Sequence, residues 1–330
     1  QREQLNNNNN IIRQNEQSLA VRICGLEEGD ARAVYKNFSV DMRQYENLEM
    51  FLHAESQENE PQLSDGDVTA FMRLGNDLTQ NFYEVQIPLD ISPPNSLDPE
   101  AVWPVENRMN IPLRLLQKIK SRVLNSDNNP NPDDNGIVFF DQSELDESWS
   151  GGPENELRIG IKGNPSFGNV RTIMLGIRNS ATSDVCVETW FNELRLSELK
   201  NQGGWAAVAS VDANLADFAT ISATGSRSTV GFGSIDQGPN QRSREDVKGY
   251  DLVTNLNLGQ LLPVKWGVQL PFNYGRSEEL ITPQYDPLLQ DVELKTSLDN
   301  AQNSETRDAI LNRSVDYTKR QSINFIGVRK

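Results

Sequence analysis

The sequence predicts a mainly β chain: a β-sandwich followed by antiparallel strands suited to a transmembrane barrel. Three observations carry this. Between Leu19 and Leu196, short β-rich runs recur with turn signals every ten or so residues. From Trp205 onward the runs lengthen and alternate apolar residues with small or uncharged polar ones. No apolar run is long enough for a membrane helix, which leaves half-apolar barrel strands unaffected.

The most informative stretch is Tyr250 to Tyr274. Tyr250, Leu252, Thr254, Leu256 and Leu258 alternate with polar or small neighbours, and Val264, Trp266, Val268, Leu270, Phe272 and Tyr274 do so again after a short break. A period of two puts each set on one face of a strand. Folded about Leu261–Leu262, the hairpin is expected to pair Leu258 with Trp266, Leu256 with Val268, Thr254 with Leu270, Leu252 with Phe272, and Tyr250 with Tyr274. Tyr250, Leu252, Leu256, Leu258, Trp266, Val268, Leu270, Phe272 and Tyr274 would then face lipid. Asn255, Asn257, Gln269 and Asn273 would face a pore. Each run has about the 9–11 residues that cross a bilayer when tilted, with aromatics near the ends. The rival is a soluble sheet, whose outer face usually carries Lys, Glu and Thr on shorter strands. Pro271 cannot donate to a ladder and needs a bulge, a strand end or an edge.

In chain order, residues 1–18 are Asn/Gln-rich, with Asn6 to Asn10 in a row, and read as a linker. Residues 19–202 read as the sandwich. Strands are expected at 19–24, 31–40, 48–54, 68–74 and 82–87, and after the proline-rich connection 88–104 a helix at 112–124. Its face would carry Leu113, Leu116, Ile119 and Val123, with Lys118, Lys120 and Arg122 largely opposite. A loop of Asn, Asp and Pro over 125–136 precedes strands at 137–140, 157–161, 170–177 and 185–196. Gly203–Gly204 opens the region of barrel strands, 203–330. There, tight breaks at 215–217 and 261–263 alternate with long loops at 234–249 and 276–321, the second partly helical around 299–313. Barrels have short periplasmic turns and long outer loops, so Trp205 would start outside and the sandwich would be extracellular, with a periplasmic sandwich as the alternative. The chain is expected to be an internal segment of something longer.

The 330 residues carry a net charge of −16, with no basic stripe for nucleic acid. Cys24 and Cys186 could pair in an oxidising compartment, but buried free thiols are the expectation. His53, the one histidine, has no second histidine for a metal or triad and reads as a partly exposed strand residue. Asn131, Asp133 and Asn135, with Gly136, resemble half a calcium loop. Gln142 stands where the bidentate Glu belongs, and a polar surface loop is the plainer reading. Glu27, Glu28, Asp30, Glu188 and Glu193 could meet only if the first and last sandwich strands are neighbours. Arg195 falls in a last strand whose Trp190 or Phe191 fills the core. No acid, base, nucleophile or metal set assembles into an enzyme, and no cofactor beyond calcium is suggested.

Val21 to Tyr35 with Asp41-Met-Arg-Gln-Tyr45, Trp190 to Leu196, Gly204 through Ala219 and Ser322-Ile-Asn-Phe325 resemble one family. It is the SprA (Sov) family of outer-membrane translocons of the Bacteroidetes type 9 secretion system. The resemblance runs from about Leu19 onward and excludes the Asn-rich head. It implies a jelly-roll domain of the galactose-binding type followed by barrel strands of a very large single-chain barrel. It implies an outer-membrane, protein-conducting channel for folded cargo, serving secretion and gliding motility. Implied partners are secreted cargo proteins, a PorV-like outer-membrane protein, a periplasmic plug protein and a prolyl isomerase-like subunit. The alternative is a soluble or surface-attached jelly-roll module for carbohydrate binding or adhesion.

Overall fold

The computed structural model describes residues 2–5, 11–14, 17–124, 131–145, 157–238 and 241–330. The expected run Asn6 to Asn10 and the 125–130 part of the polar loop lie outside the described residues. The chain divides into two compact units, Gln1–Leu199 and Lys200–Lys330.

The first unit begins with β1 (Arg2–Leu5) and β2 (Ile11–Gln14), which pair antiparallel where a structureless linker was expected. Leu5 stands opposite Ile11 and Gln4 opposite Ile12. Ten strands follow: β3 (Leu19–Leu26), β4 (Ala31–Val40), β5 (Tyr45–Ser56), β6 (Val68–Gly75), β7 (Phe82–Pro88), β8 (Arg108–Pro112), β9 (Val138–Asp141), β10 (Arg158–Lys162), β11 (Val170–Asn179) and β12 (Val185–Leu199). The helices of this unit are α1 (Pro99–Val102), α2 (Leu113–Leu124) and α3 (Gln142–Leu145). One antiparallel sheet has six strands in the order β4-β11-β6-β7-β10-β9, the other four in the order β3-β12-β5-β8.

The two sheets enclose one core. On β5, Leu48, Met50, Leu52 and Ala54 point inward, and they meet Met72, Leu74, Val85, Ile87, Ile159 and Ile177 in a single apolar cluster. Period-two alternation makes this possible, since it gives each strand one buried face. Tyr83 and Phe167 stack within the cluster at 4.7 Å. β8 was not expected. Its Met109 and Ile111 are inward, opposite Met50 and Leu48, and Pro112 ends it and leads into α2. α2 buries Leu113, Leu116, Ile119 and Val123 as expected, but Lys120 is only 1 % exposed. The helix is covered on more than one side, and the Lys120 ammonium donates to the Pro165 carbonyl at 2.6 Å. A buried ammonium needs such an acceptor.

The second unit contains β13 (Ala206–Leu215), β14 (Ala219–Ser228), β15 (Glu245–Asn257), β16 (Pro271–Pro283) and β17 (Asp316–Phe325), with α4 (Leu294–Asp299) and α5 (Ser304–Ser314) between the last two strands. The five strands form one antiparallel meander in sequence order, open at both edges. The chain is thus mainly β with antiparallel sheets, none closed into a barrel. No helix among the described residues is long and apolar enough to cross a membrane.

The hairpin forms, but not in the expected register. Leu256 pairs with Phe272, Thr254 with Tyr274 and Leu252 with Arg276. Leu258–Leu261 and Val264–Trp266 are 3-10 turns, and Gly267 closes the second in the left-handed region at φ 63°. Pro263 fixes the entry to that turn, and only glycine takes such a φ without strain. Leu258, Trp266, Val268 and Leu270 are therefore outside the ladder. β16 starts at Pro271, the strand position where a missing N–H costs nothing. The slip is an even number of residues, so the faces are preserved. The first long connection shifts to 229–244 at unchanged length, and the second shrinks to 284–315, as β16 and β17 run further than expected.

Candidate functional site

The five-stranded sheet has two chemically different faces, and the register assigns every residue to one. Directly paired residues share a face. On the first face, one row across the sheet is Leu215, Ala219, Leu256, Phe272 and Phe325. The next is Ala213, Ile221, Thr254, Tyr274 and Ile323. The Phe272 and Phe325 rings pack at 5.1 Å. β13 adds Val211, Ala209 and Ala207 to this face, so its whole length is apolar there. Towards the opposite end, β16 and β17 bring Arg276, Glu278 and Lys319 onto the same face. Arg276 binds Glu278 at 2.5 Å, and Lys319 lies 4.0 Å from it.

The second face carries mostly Asn, Ser, Thr and Gly, with Val208, Val247, Val253 and Ile281 as its larger apolar members and Asp212, Asp251, Glu279 and Arg320 as its charges in the middle of the ladder. One row is Asn214, Thr220, Asn255, Asn273 and Asn324. Its side chains join hands across four strands. Asn255 donates to Thr220 Oγ1 at 3.3 Å, Asn273 to Asn255 Oδ1 at 2.7 Å, and Asn324 to Asn273 Oδ1 at 3.3 Å. An amide carries both a donor and an acceptor, which is why asparagine can propagate such a chain. Of the expected pore residues, Asn255 and Asn273 lie on this row, Asn257 is on the same face opposite Pro271, and Gln269 bridges Arg329 outside the strands. Of the expected lipid residues, Tyr250, Leu252, Leu256, Phe272 and Tyr274 share the first face. Sequence reasoning missed Ile221, Ile323 and Phe325 as members of that face, although the alternation of Ala219 to Ala223 signals the first.

In the sandwich, the outward face of the four-stranded sheet gathers several residues flagged from the sequence. His53 is 1 % exposed, not partly exposed as expected. Its ring stacks 4.3 Å from Trp190, with Trp103 6.0 Å away, and its Nδ1 lies 2.8 Å from the Val102 carbonyl. The chain before and within α1 lies over it, which alternation alone cannot show. Phe191, not Trp190, enters the core. A bulge between Asn192 and Arg195, with Glu193 at φ 50°, then turns Arg195 from the inward to the outward face. There Arg195 and Arg108 each donate to Glu49 at 3.0 Å, and Ser197 donates to it as well. The Ser197 hydroxyl holds the Glu49 carboxyl down, burial opposes it, and the two arginines add to the lowering, leaving it at about 2.

Glu188 accepts from Trp190 Nε1 at 2.8 Å and pairs with Arg22 at 2.5 Å. Burial pushes its pKa up, but these donors outweigh it and the net shift is downward. Glu193 pairs with Arg195 and Asp30 with Arg32. β3 and β12 are neighbours, but Asp30, Glu188 and Glu193 each meet their own arginine and do not form one carboxylate pair, in line with the plainer reading of solvated acidic residues. In the calcium-like loop, Asp133 Oδ1 accepts from the backbone N–H of Asn135 at 3.0 Å and of Ile137 at 2.7 Å, which makes it the organiser of its own turn. Asn131 and Asn135 are exposed.

Cys24 and Cys186 form a disulfide between β3 and β12 and are not the buried free thiols expected. The two strands are antiparallel neighbours, so residues far apart in sequence are brought to facing positions at one end of the ladder. Together with Glu60 they are the metal-capable cluster found among the described residues, but a disulfide offers no thiolate.

A search of the curated proteins finds no match. The family model described as motility related/secretion protein, SprA_N, matches residues 1–298, which includes the sandwich and β13 to β16. The chain therefore belongs to this family of motility-related and secretion proteins.

Proposed function

We propose that this chain supplies part of the wall of an outer-membrane, protein-conducting β-barrel that exports folded cargo in type 9 secretion and gliding motility. The observation that carries the reading is the five-stranded sheet. One face carries an apolar band, the other is mostly Asn, Ser, Thr and Gly, and both edges are open. An open edge of ten residues is an aggregation hazard in water. It is the expected state of a barrel segment whose neighbouring strands come from elsewhere in the protein. A mostly polar lumen with few charges, Asp212, Asp251, Glu279 and Arg320 among them, gives passing cargo few strong charge partners.

The cysteine bridge supports a compartment outside the cytosol. The connection 216–218 is short and those at 229–244 and 284–315 are long, which supports Trp205 on the outer side and an extracellular sandwich. Secreted cargo, a PorV-like shuttle, a plug protein and a prolyl isomerase-like subunit are the proposed partners. No catalytic role, metal or cofactor is proposed.

Fractionation of cells expressing the full-length protein tests this. Recovery in the detergent-extracted, carbonate-resistant outer membrane is expected, with protease cleavage of intact cells confined to the sandwich and the long loops. Recovery in the soluble fraction would instead favour a jelly-roll binding or adhesion module.

A further inference from the structure

We propose that Arg227 on β14 and Lys248 on β15 form a site for the phosphate headgroup of a net-anionic membrane lipid. The inference rests on the reading of the apolar face as lipid-facing. Arg227 and Lys248 stand directly opposite each other on that face. Like charges at opposed positions are only about 4.5–5.5 Å apart at Cβ and repel. The chain has 47 acidic residues against 31 basic ones, yet neither side chain meets a carboxylate among the described residues. Of the two acids beside them on this face, Glu278 is engaged by Arg276 and Lys319, and Asp246 accepts from the Val230 backbone N–H at 2.9 Å. The pair of cations is therefore built for an anion the chain does not supply.

The surroundings say which anion. The pair lies at the long-loop end of the apolar face, in one row with Leu280 and Tyr317. Arg227 also lies over the Trp205 ring at 5.2 Å. A shallow groove of about 410 Å³ runs between Arg227, Lys248, Tyr250, Leu280 and Tyr317, with Glu278 and Glu279 also lining it. Trp and Tyr mark the headgroup level of a bilayer. A phosphate between the two cations would place its acyl chains along the β13 to β15 part of the face below, past Ala209, Val211, Ala223 and Leu252, which free phosphate cannot use.

The test takes the full-length protein, extracted from outer membranes in neutral detergent and stripped of lipid. It is titrated with phosphatidylglycerol, phosphatidylcholine or inorganic phosphate, and bound lipid is read by native mass spectrometry. Preference for phosphatidylglycerol is expected. Arg227→Gln with Lys248→Gln should weaken it by roughly 30-fold, from the attraction of each basic residue to an anionic surface. Phosphatidylcholine binding should not change, nor should Arg320→Gln, on the opposite face, have an effect. If the double variant does not assemble, Lys248→Gln alone should cost roughly fivefold. Unchanged phosphatidylglycerol affinity overturns the site, and equal binding of inorganic phosphate overturns its lipid nature. A protein recovered in the soluble fraction would instead remove the membrane reading beneath both.

Discussion

Single residues test the two faces most sharply. Leu256 sits in the apolar row between Ala219 and Phe272. Leu256→Arg is expected to impair barrel assembly, because a charge facing lipid near the midplane costs about 2–4 kcal/mol. Asn257→Arg, one residue on and facing the other way, should be tolerated. Heat-modifiable migration of the full-length protein on gels reports both. Asn273 both donates to Asn255 and accepts from Asn324, so Asn273→Leu breaks two bonds at once. A loss of roughly 1–2 kcal/mol is expected in denaturant unfolding, at about 0.5–1.5 kcal/mol per bond. In the sandwich, Glu49 has its pKa lowered from 4.5 to about 2, first by Ser197 against the opposing burial, then by Arg195 and Arg108. A carboxyl depressed in the fold stabilises fully above its unfolded value. That contribution disappears as pH falls from about 4.5 through about 2. Glu49→Gln should therefore lower stability at pH 7 but flatten its loss in acid, as followed by melting temperature against pH.

At the scale of elements, alternation made the strands legible and left their ends obscure. β13, β14 and the two halves of the hairpin follow from a period of two. So do the inward residues of β5, β6 and β7. What alternation cannot show is where a strand stops being a strand. Val264 to Leu270 keeps the period, yet Pro263 and Gly267 bend it into a 3-10 turn. Gly267→Val should destabilise that connection by about 1–2 kcal/mol, since a β-branched residue resists a φ of 63°. The bulge at Asn192 to Arg195 was equally hidden, because an extra residue leaves no mark on composition. It decides that Arg195 meets Glu49 and not the core. His53 and Lys120 were misread for a related reason: burial of a polar side chain comes from what covers it, here the chain around Val102 and Pro165. The disulfide depends on strand order, and order within a sheet is not written in the spacing of two cysteines.

For the whole molecule, the two units obey different rules. The sandwich closes around a single core and joins its first and last strands through Cys24–Cys186. Replacing both cysteines with serine should lower the stability of that unit by about 2–4 kcal/mol in calorimetry of the intact protein, the usual worth of a bridge closing a long loop. The five-stranded sheet has no such closure. Its two faces are those that the proposed barrel wall requires, with lipid on one side and a polar passage on the other. The most direct measurement is single-cysteine scanning of positions 252–257 in the full-length protein, in intact outer membranes, with a water-soluble maleimide. Labelling should alternate: residues replacing Val253, Asn255 and Asn257 react, and those replacing Leu252, Thr254 and Leu256 do not. Uniform labelling of both sets would mean that water bathes both faces, and the sheet would not be a barrel wall.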